Sequence, residues 1–321
     1  MLYQIVQPLI PVAFVIVLGF IAGKRGKLSQ ADSLLITRLV LNWIFPALLL
    51  AGMATTPRVQ LLNFRFILAT FIALLGTYAI AFAVGWYRFR ELKASTLKGL
   101  VNGYPDAAFM GIPILQSIFG EGSLYPILVL NVIASLVMIP LTATLLTVAS
   151  GKGSGAKAFV SSISEAVRRP LMWAPAIGIF CSLLAIKLPS VLVDSLNLLG
   201  KATPGVSLLC LGLIIASVKM KLSFDVWENT VLKLLLQPAL MVGAAFMLSV
   251  SGLPTQQMIL LCALPSATIA GMFANEAGAY RDEAATSILV SAVLSIVTFS
   301  FAIYLIDGGL GATTTNLAIV Y

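Results

Sequence analysis

Asp106 lies inside a long apolar run, in Tyr104-Pro105-Asp106-Ala107-Ala108-Phe109-Met110-Gly111. A carboxylate in the hydrocarbon region of a bilayer is costly, so it is expected there only where it holds a proton, a cation, or the free N–H groups of an interrupted helix. The adjacent proline supplies the interruption: it removes a backbone donor and clashes with the preceding turn. A second run repeats the pattern as Leu264-Pro265-Ser266-Ala267-Thr268-Ile269-Ala270-Gly271. The prolines (105 and 265) and the glycines (111 and 271) are each 160 positions apart. Backbone groups freed inside a bilayer persist only when buried in protein or facing a polar cavity. Matched breaks in two halves of a chain therefore point to a transporter's binding site.

The candidate contacts gather around these breaks. Asn102, Gly103, Pro105 and Asp106 come from the first half, and Pro265, Ser266 and Thr268 from the second. Asn102 precedes Asp106 by four residues, which on a continuous helix places both on one face. Asn131 and Ser291, again 160 apart, and Asn42 near the middle of the second apolar segment are further candidates. For each buried Asn or Ser the competing reading is hydrogen bonding between helices. For Asp106 it is capping alone. Arg38 and Lys201 are candidate partners for a substrate carboxylate, against the alternative that they snorkel to an interface. Two opposed breaks would turn helix N-termini, each with roughly half a positive charge, toward one cavity. The expected ligand is a small organic anion rather than a sugar.

Much chemistry is excluded. The chain has no histidine, and its three cysteines (Cys181, Cys210, Cys262) lack metal-ligand spacing, so they read as small buried hydrophobes. No paired catalytic set and no phosphate-cradling loop is present, which argues against an enzyme and a primary pump. No metal or cofactor is expected beyond a coupling H+ or Na+.

The elements that must position these residues are membrane helices. The 321 residues are 60% hydrophobic and 10% charged, with mean hydropathy +1.03. A soluble chain would carry about 25% charged residues. Ten apolar segments are expected, near 5–24, 31–53, 66–88, 96–119, 124–149, 169–187, 191–218, 230–251, 256–278 and 285–306. The fold class is thus all-α integral membrane, in two five-helix repeats, 1–149 and 169–321, joined by a polar linker, 150–168. Further matches support the repeat: Pro8 with Pro170, Asp32 with Asp194, and Phe45-Pro46 with Thr203-Pro204, all 158 to 162 apart. Five helices per repeat is odd, so the second half enters the bilayer from the other side, with the fourth and ninth segments broken and crossing.

The net charge of +8 follows from topology. Lys24, Arg25, Lys27, Arg88, Arg90, Lys93, Lys98, Lys152, Lys157, Arg168, Arg169, Lys219, Lys221 and Arg281 fall on one side; Arg58, Arg65 and Lys187 fall on the other. The positive-inside rule makes the first side cytoplasmic and both termini periplasmic. Basic residues spread over five short loops do not make a nucleic-acid surface. The N-terminus lacks a signal-peptide pattern, so the first segment is expected to remain as a helix. Trp43, Trp86, Tyr87, Trp173 and Trp227 read as interfacial anchors. Glu276, Arg281, Asp282 and Glu283 read as a salt-linked turn. Gly19 and Gly23, four apart, have the spacing of a close helix contact.

The residues from Tyr104 to Leu115 resemble the fourth-helix pattern of the auxin efflux carrier family, L-P-N-x-x-x-M-G-I-P-L-L. Ala263-Leu264-Pro265, Phe273-Ala274-Asn275-Glu276, Asp282, and Thr286 through Ser295 are similar to that family's ninth and tenth helices, and Arg169-Pro170 to the start of its sixth. The resemblance covers essentially the whole chain. The short central linker is similar to the compact bacterial branch, which includes malonate carriers. The resemblance implies ten helices, a scaffold of helices 1, 2, 6 and 7, a moving domain of helices 3–5 and 8–10, and elevator-type transport. It implies uptake of a short dicarboxylate such as malonate across a bacterial inner membrane, coupled to protons or sodium. Export of an amphipathic weak acid and an anion channel are the alternatives, and there is room for a homodimer. Asp106 stands where the family usually has Asn.

Overall fold

A computed structural model describes residues 9–61, 63–151, 160, 161, 164, 168, 170–217 and 221–306. Pro8, Lys152, Lys157, Arg169, Lys219, most of the 150–168 linker and both chain termini lie outside the described residues. The described residues contain no β-strand. Among the described residues six helices are long and apolar enough to cross a membrane: α2 (Ala31–Thr55), α3 (Phe64–Phe89), α6 (Leu124–Ala149), α8 (Ser190–Ala216), α9 (Phe224–Met247) and α12 (Arg281–Leu305). The others are shorter: α1 (Leu9–Lys24), α4 (Leu92–Gly103), α5 (Ile112–Phe119), α7 (Pro170–Leu183), α10 (Leu253–Cys262) and α11 (Thr268–Ala277). Long helices thus account for six of the ten apolar segments. The fourth segment is cut into α4 and α5 and the ninth into α10 and α11, with a proline at each cut.

The other prolines leave a regular mark. Pro46, Pro113, Pro140 and Pro238 each stand two residues after a π turn, at Val40–Ile44, Ala107–Gly111, Ala134–Met138 and Leu232–Leu236. Proline cannot accept the close approach of the carbonyl four residues before it, and a turn widened to i→i+5 relieves the clash without ending the helix. At Thr203-Pro204 the relief is cruder: α8 has a turn at Lys201 and Ala202.

The helices pack in two groups. α1 packs on α8, and α2 packs on α7 and α8; α3 packs on α4 and α9, α4 on α6 and α12, and α9 on α12. Small residues make the first group tight. A Cβ on Gly212 would lie 2.1 Å from the Ile16 carbonyl oxygen, and one on Gly19 would lie 2.1 Å from that of Leu209. Gly23 faces Ala216 one turn on, so the close contact read from Gly19 and Gly23 is present. Gly178 meets the Leu50 carbonyl and Gly200 the Leu48 backbone in the same way. Trp43, Trp86, Tyr87, Trp173 and Trp227 are all exposed, with Trp43 at the middle of α2. Cys181, Cys210 and Cys262 are free and buried.

Candidate functional site

The two breaks meet. Asp106 N–H donates to the Pro265 carbonyl (2.9 Å) and Ala267 N–H donates to that of Tyr104 (2.8 Å), an isolated antiparallel bridge between the interrupted helices. Proline explains why the bridge is available: once the helical ladder stops, these groups need other partners, and each break supplies the other's. Residues 104–106 are buried, as are 265–267. Asp106 caps the chain that follows, one carboxylate oxygen accepting from Phe109 N–H at 3.1 Å. Its second oxygen is buried without a partner, and so is the Ser266 hydroxyl. An unpartnered buried polar atom costs about 1–3 kcal/mol, and two of them lie at this bridge. α8 packs on the Ala107–Gly111 turn and carries two more buried, unpartnered hydroxyls, Thr203 and Ser207.

The C-terminal ends of α4 and α10 are held by α9. Gln237 donates through Nε2 to the Gly103 carbonyl (2.7 Å), and Lys233 donates through Nζ to the Cys262 carbonyl (3.0 Å). Lys233 also donates to Gln237 Oε1, and both side chains are fully buried. The ammonium is within electrostatic reach of Asp106. A helix C-terminus carries partial negative charge, so a cation and an amide there satisfy the orphan carbonyls and the dipole together. Neither residue stood out in the sequence, because Lys233 near the start of an apolar segment reads as interfacial. The available signal was their i, i+4 spacing on one face.

A second polar cluster joins α3, α4, α9 and α12. Lys98 is fully buried and pairs with Asp225 (2.7 Å) and Glu228 (2.5 Å); Arg88 pairs with the same two at 3.0 and 2.8 Å. Tyr280 donates to Asp225, and Asn229 donates to Tyr280 OH and to Ser287. Two cations meet two anions, so the cluster is neutral. The sequence places Lys98 among cytoplasmic loop charges; in the structure it is a core residue of α4. For the same reason α4 starts before residue 96 and α9 before residue 230: charged first turns fall outside an apolar run, yet here their charges cancel internally.

The sequence candidates separate into three groups. Pro105, Asp106, Pro265 and Ser266 come together at the bridge, Gly103 borders it through its carbonyl, and Thr268 is buried at the start of α11. Ser291 fixes the break from α12, its hydroxyl accepting from Ser266 N–H at 3.2 Å. Asn102 and Asn131 act as links between helices. The chain leaves its helix after Gly103, so the i, i+4 relation of Asn102 to Asp106 does not hold, and Asn102 instead donates to Asn229 (2.9 Å) and the Lys98 carbonyl. Asn131 donates to the Ile127 carbonyl and accepts from Tyr104 OH. Asn42, Arg38 and Lys201 are exposed and do not join the buried bridge; Lys201 borders a separate cavity. At the foot of α12, Asp282 pairs with Lys221 at 3.4 Å, both well exposed, a contact that adds little stability.

Relatives of the chain carry transporter names. It is 29% identical over 311 residues to the uncharacterised transporter YfdV of Escherichia coli K12, covering 95% of this chain and 98% of that one. It is 24% identical over 304 residues to an uncharacterised transporter of Methanothermobacter thermautotrophicus, covering 91% and 95%. It is 24% identical over 271 residues to a Rhizobium meliloti protein provisionally named a malonate transporter, covering 82% and 84%. The Membrane transport protein family matches residues 4–303. With its several apolar helices and its broken pair, the chain is a multi-pass membrane protein that belongs to this family of transporters, the auxin efflux carriers.

Proposed function

We propose that the chain is a secondary active carrier that takes up a small organic anion, a short dicarboxylate such as malonate, across a bacterial inner membrane. The observation that carries this reading is the reciprocal bridge between two broken helices, with one Asp106 oxygen and the Ser266 hydroxyl left unpartnered at it. The name of the Rhizobium relative supports the substrate. The packing of α1, α2, α7 and α8 as one group supports an elevator in which that group is the scaffold and the rest the moving body.

The ten-crossing inverted repeat is part of the same proposal. Lys98 pairs with Asp225 and Asn102 with Asn229, both 127 positions on, so α4 and α9 run parallel. Gly19 meets Gly212 and Gly23 meets Ala216, a constant offset that makes α1 and the end of α8 parallel as well. The two breaks pair antiparallel. An odd-numbered inverted repeat gives these three directions. Single cysteines at Gly153 and Gln256, in a cysteine-free background, should label from the cytoplasm and the periplasm respectively. Labelling of both from one side rejects the repeat.

The same geometry favours protons over sodium as the coupling ion. Half-helix C-termini and unwound carbonyls are where carriers of this build hold a coupling cation. Here the Lys233 ammonium takes that position on the Cys262 carbonyl, leaving Asp106 as the group that loads and releases a proton. The test is malonate uptake into proteoliposomes with proton and sodium gradients imposed separately, in wild type and in Asp106→Asn. Asn caps a helix about as well as Asp, so the variant should fold and bind. It should exchange malonate across the membrane without accumulating it, and its pH dependence should flatten. Accumulation by Asp106→Asn with wild-type pH response rejects proton coupling at this residue. Uptake that needs sodium rejects the assignment of Lys233, and conduction that does not saturate points to a channel.

A further inference from the structure

A second space lies apart from the crossed breaks. An open cavity of about 590 Å³ is bordered by the end of α2, the turn of α8, the end of α5 and the starts of α6 and α10, a volume typical of small-molecule sites. Among the described side chains none that lines it is acidic, and the one cation is Lys201, which has no ion-pair partner among them. Two of its wall residues bring buried groups that lack partners. Gln257 on α10 is fully buried with both amide atoms unpartnered, and Tyr125 on α6 is 3% exposed with its hydroxyl unpartnered.

We propose that this cavity is an anion-binding vestibule for a short dicarboxylate, with Lys201 neutralising one carboxylate and Gln257 Nε2 and Tyr125 OH donating to the other. The proposal rests on the carrier reading above for the ligand, but the charge preference of the site stands on its own residues. The inward-facing chemistry is one-sided: a cation and two donors, with no carboxylate to repel an anion. The donors are also divided. Lys201 and Asn197 come from α8, and Thr55 from α2, within one packing group; Gln257 and Tyr125 come from the other. A ligand with a charge at each end is the kind that satisfies both walls at once, which a monocarboxylate does not. Gln257 lies on α10, whose C-terminus ends at the break held by Lys233, so the vestibule leads along one helix to the bridge.

Two measurements test this. In a background lacking Cys181, Cys210 and Cys262, Thr55→Cys should react faster with an anionic sulfonatoethyl methanethiosulfonate than with its cationic trimethylammonium counterpart. Adding Lys201→Met should lower that rate ratio about threefold or more. Malonate binding to the purified protein, measured by calorimetry, should weaken about tenfold in Lys201→Met and in Gln257→Leu. The melting temperature of ligand-free Gln257→Leu should not fall, because the substitution removes a buried amide that has no partner; a merely structural glutamine would lower it. An unchanged reagent ratio in Lys201→Met overturns the vestibule. So does wild-type malonate affinity in both variants. If wild type binds no malonate yet the ratio shifts as expected, the anion site stands and the choice of malonate in the carrier reading fails.

Discussion

One added methyl group at Gly212 is expected to remove most of the folded protein. Gly212→Ala places a Cβ 2.1 Å from the Ile16 carbonyl oxygen and 2.7 Å from the Phe20 nitrogen. Both obstacles are backbone, so no side chain can turn aside, and α1 must move off α8. That separation opens the whole seam, because Gly19 and Gly23 lie along it. Overpacking of this kind costs about 3 kcal/mol or more when nothing yields. The check is the monodisperse fraction after detergent extraction, with melting temperature read on whatever survives. Gly243→Ala is the matched control: no atom lies within 4 Å of its added Cβ, so it should extract like wild type or slightly better. Equal yields from the two variants would remove the close α1–α8 seam.

Lys98→Met should be the most destabilising change among the charged residues. Its ammonium is fully buried between Asp225 and Glu228, whose side chains are 8% and 23% exposed. Taking the cation away leaves two neighbouring carboxylates with only Arg88 between them. Breaking a buried pair from one side costs about 3–5 kcal/mol, since the remaining charge keeps its desolvation penalty. The effect on thermal stability should shrink when Asp225→Asn is added, because the uncompensated charge goes with it. Arg88→Gln should cost much less, as that side chain is 33% exposed and water replaces part of what it loses. Independent, additive losses in the double variant would mean that Lys98 and Asp225 are not coupled.

Proline and glycine made the breaks legible, because their effect on backbone is local and does not depend on neighbours. The meeting of Pro105 with Ser266 followed from the 160-residue match, an inference about symmetry rather than about contacts. Lys233 and Lys98 could not be read in the same way. Each sits near the end of an apolar run, where a lysine ordinarily reaches water, and what decides its fate is a partner far along the chain. The Cys262 carbonyl is 29 positions from Lys233, and Asp225 is 127 from Lys98. Hydropathy ranks such residues by type and cannot register that their charge is cancelled by another helix. The i, i+4 relation of Asn102 to Asp106 failed for a related reason. Its face was taken from a helix assumed to continue to Asp106, and the adjacent proline that drew attention to the site also ended that helix.

The crossed breaks have a mechanical consequence. Two backbone bonds tie the breaks to each other, and Lys233 and Gln237 tie each to a single stretch of α9. Four attachments of this kind triangulate the joint, so the interrupted helices have no independent hinge despite their missing turns. Bending at one proline would have to stretch bonds on the other and on α9 together. The region that a local view would name the most pliable in the molecule is instead a cross-braced strut. In the proposed carrier, a displacement that alters which side of the membrane it faces would carry α4, α5, α9, α10, α11 and, through Ser291, α12 as one piece, with the slack taken up elsewhere.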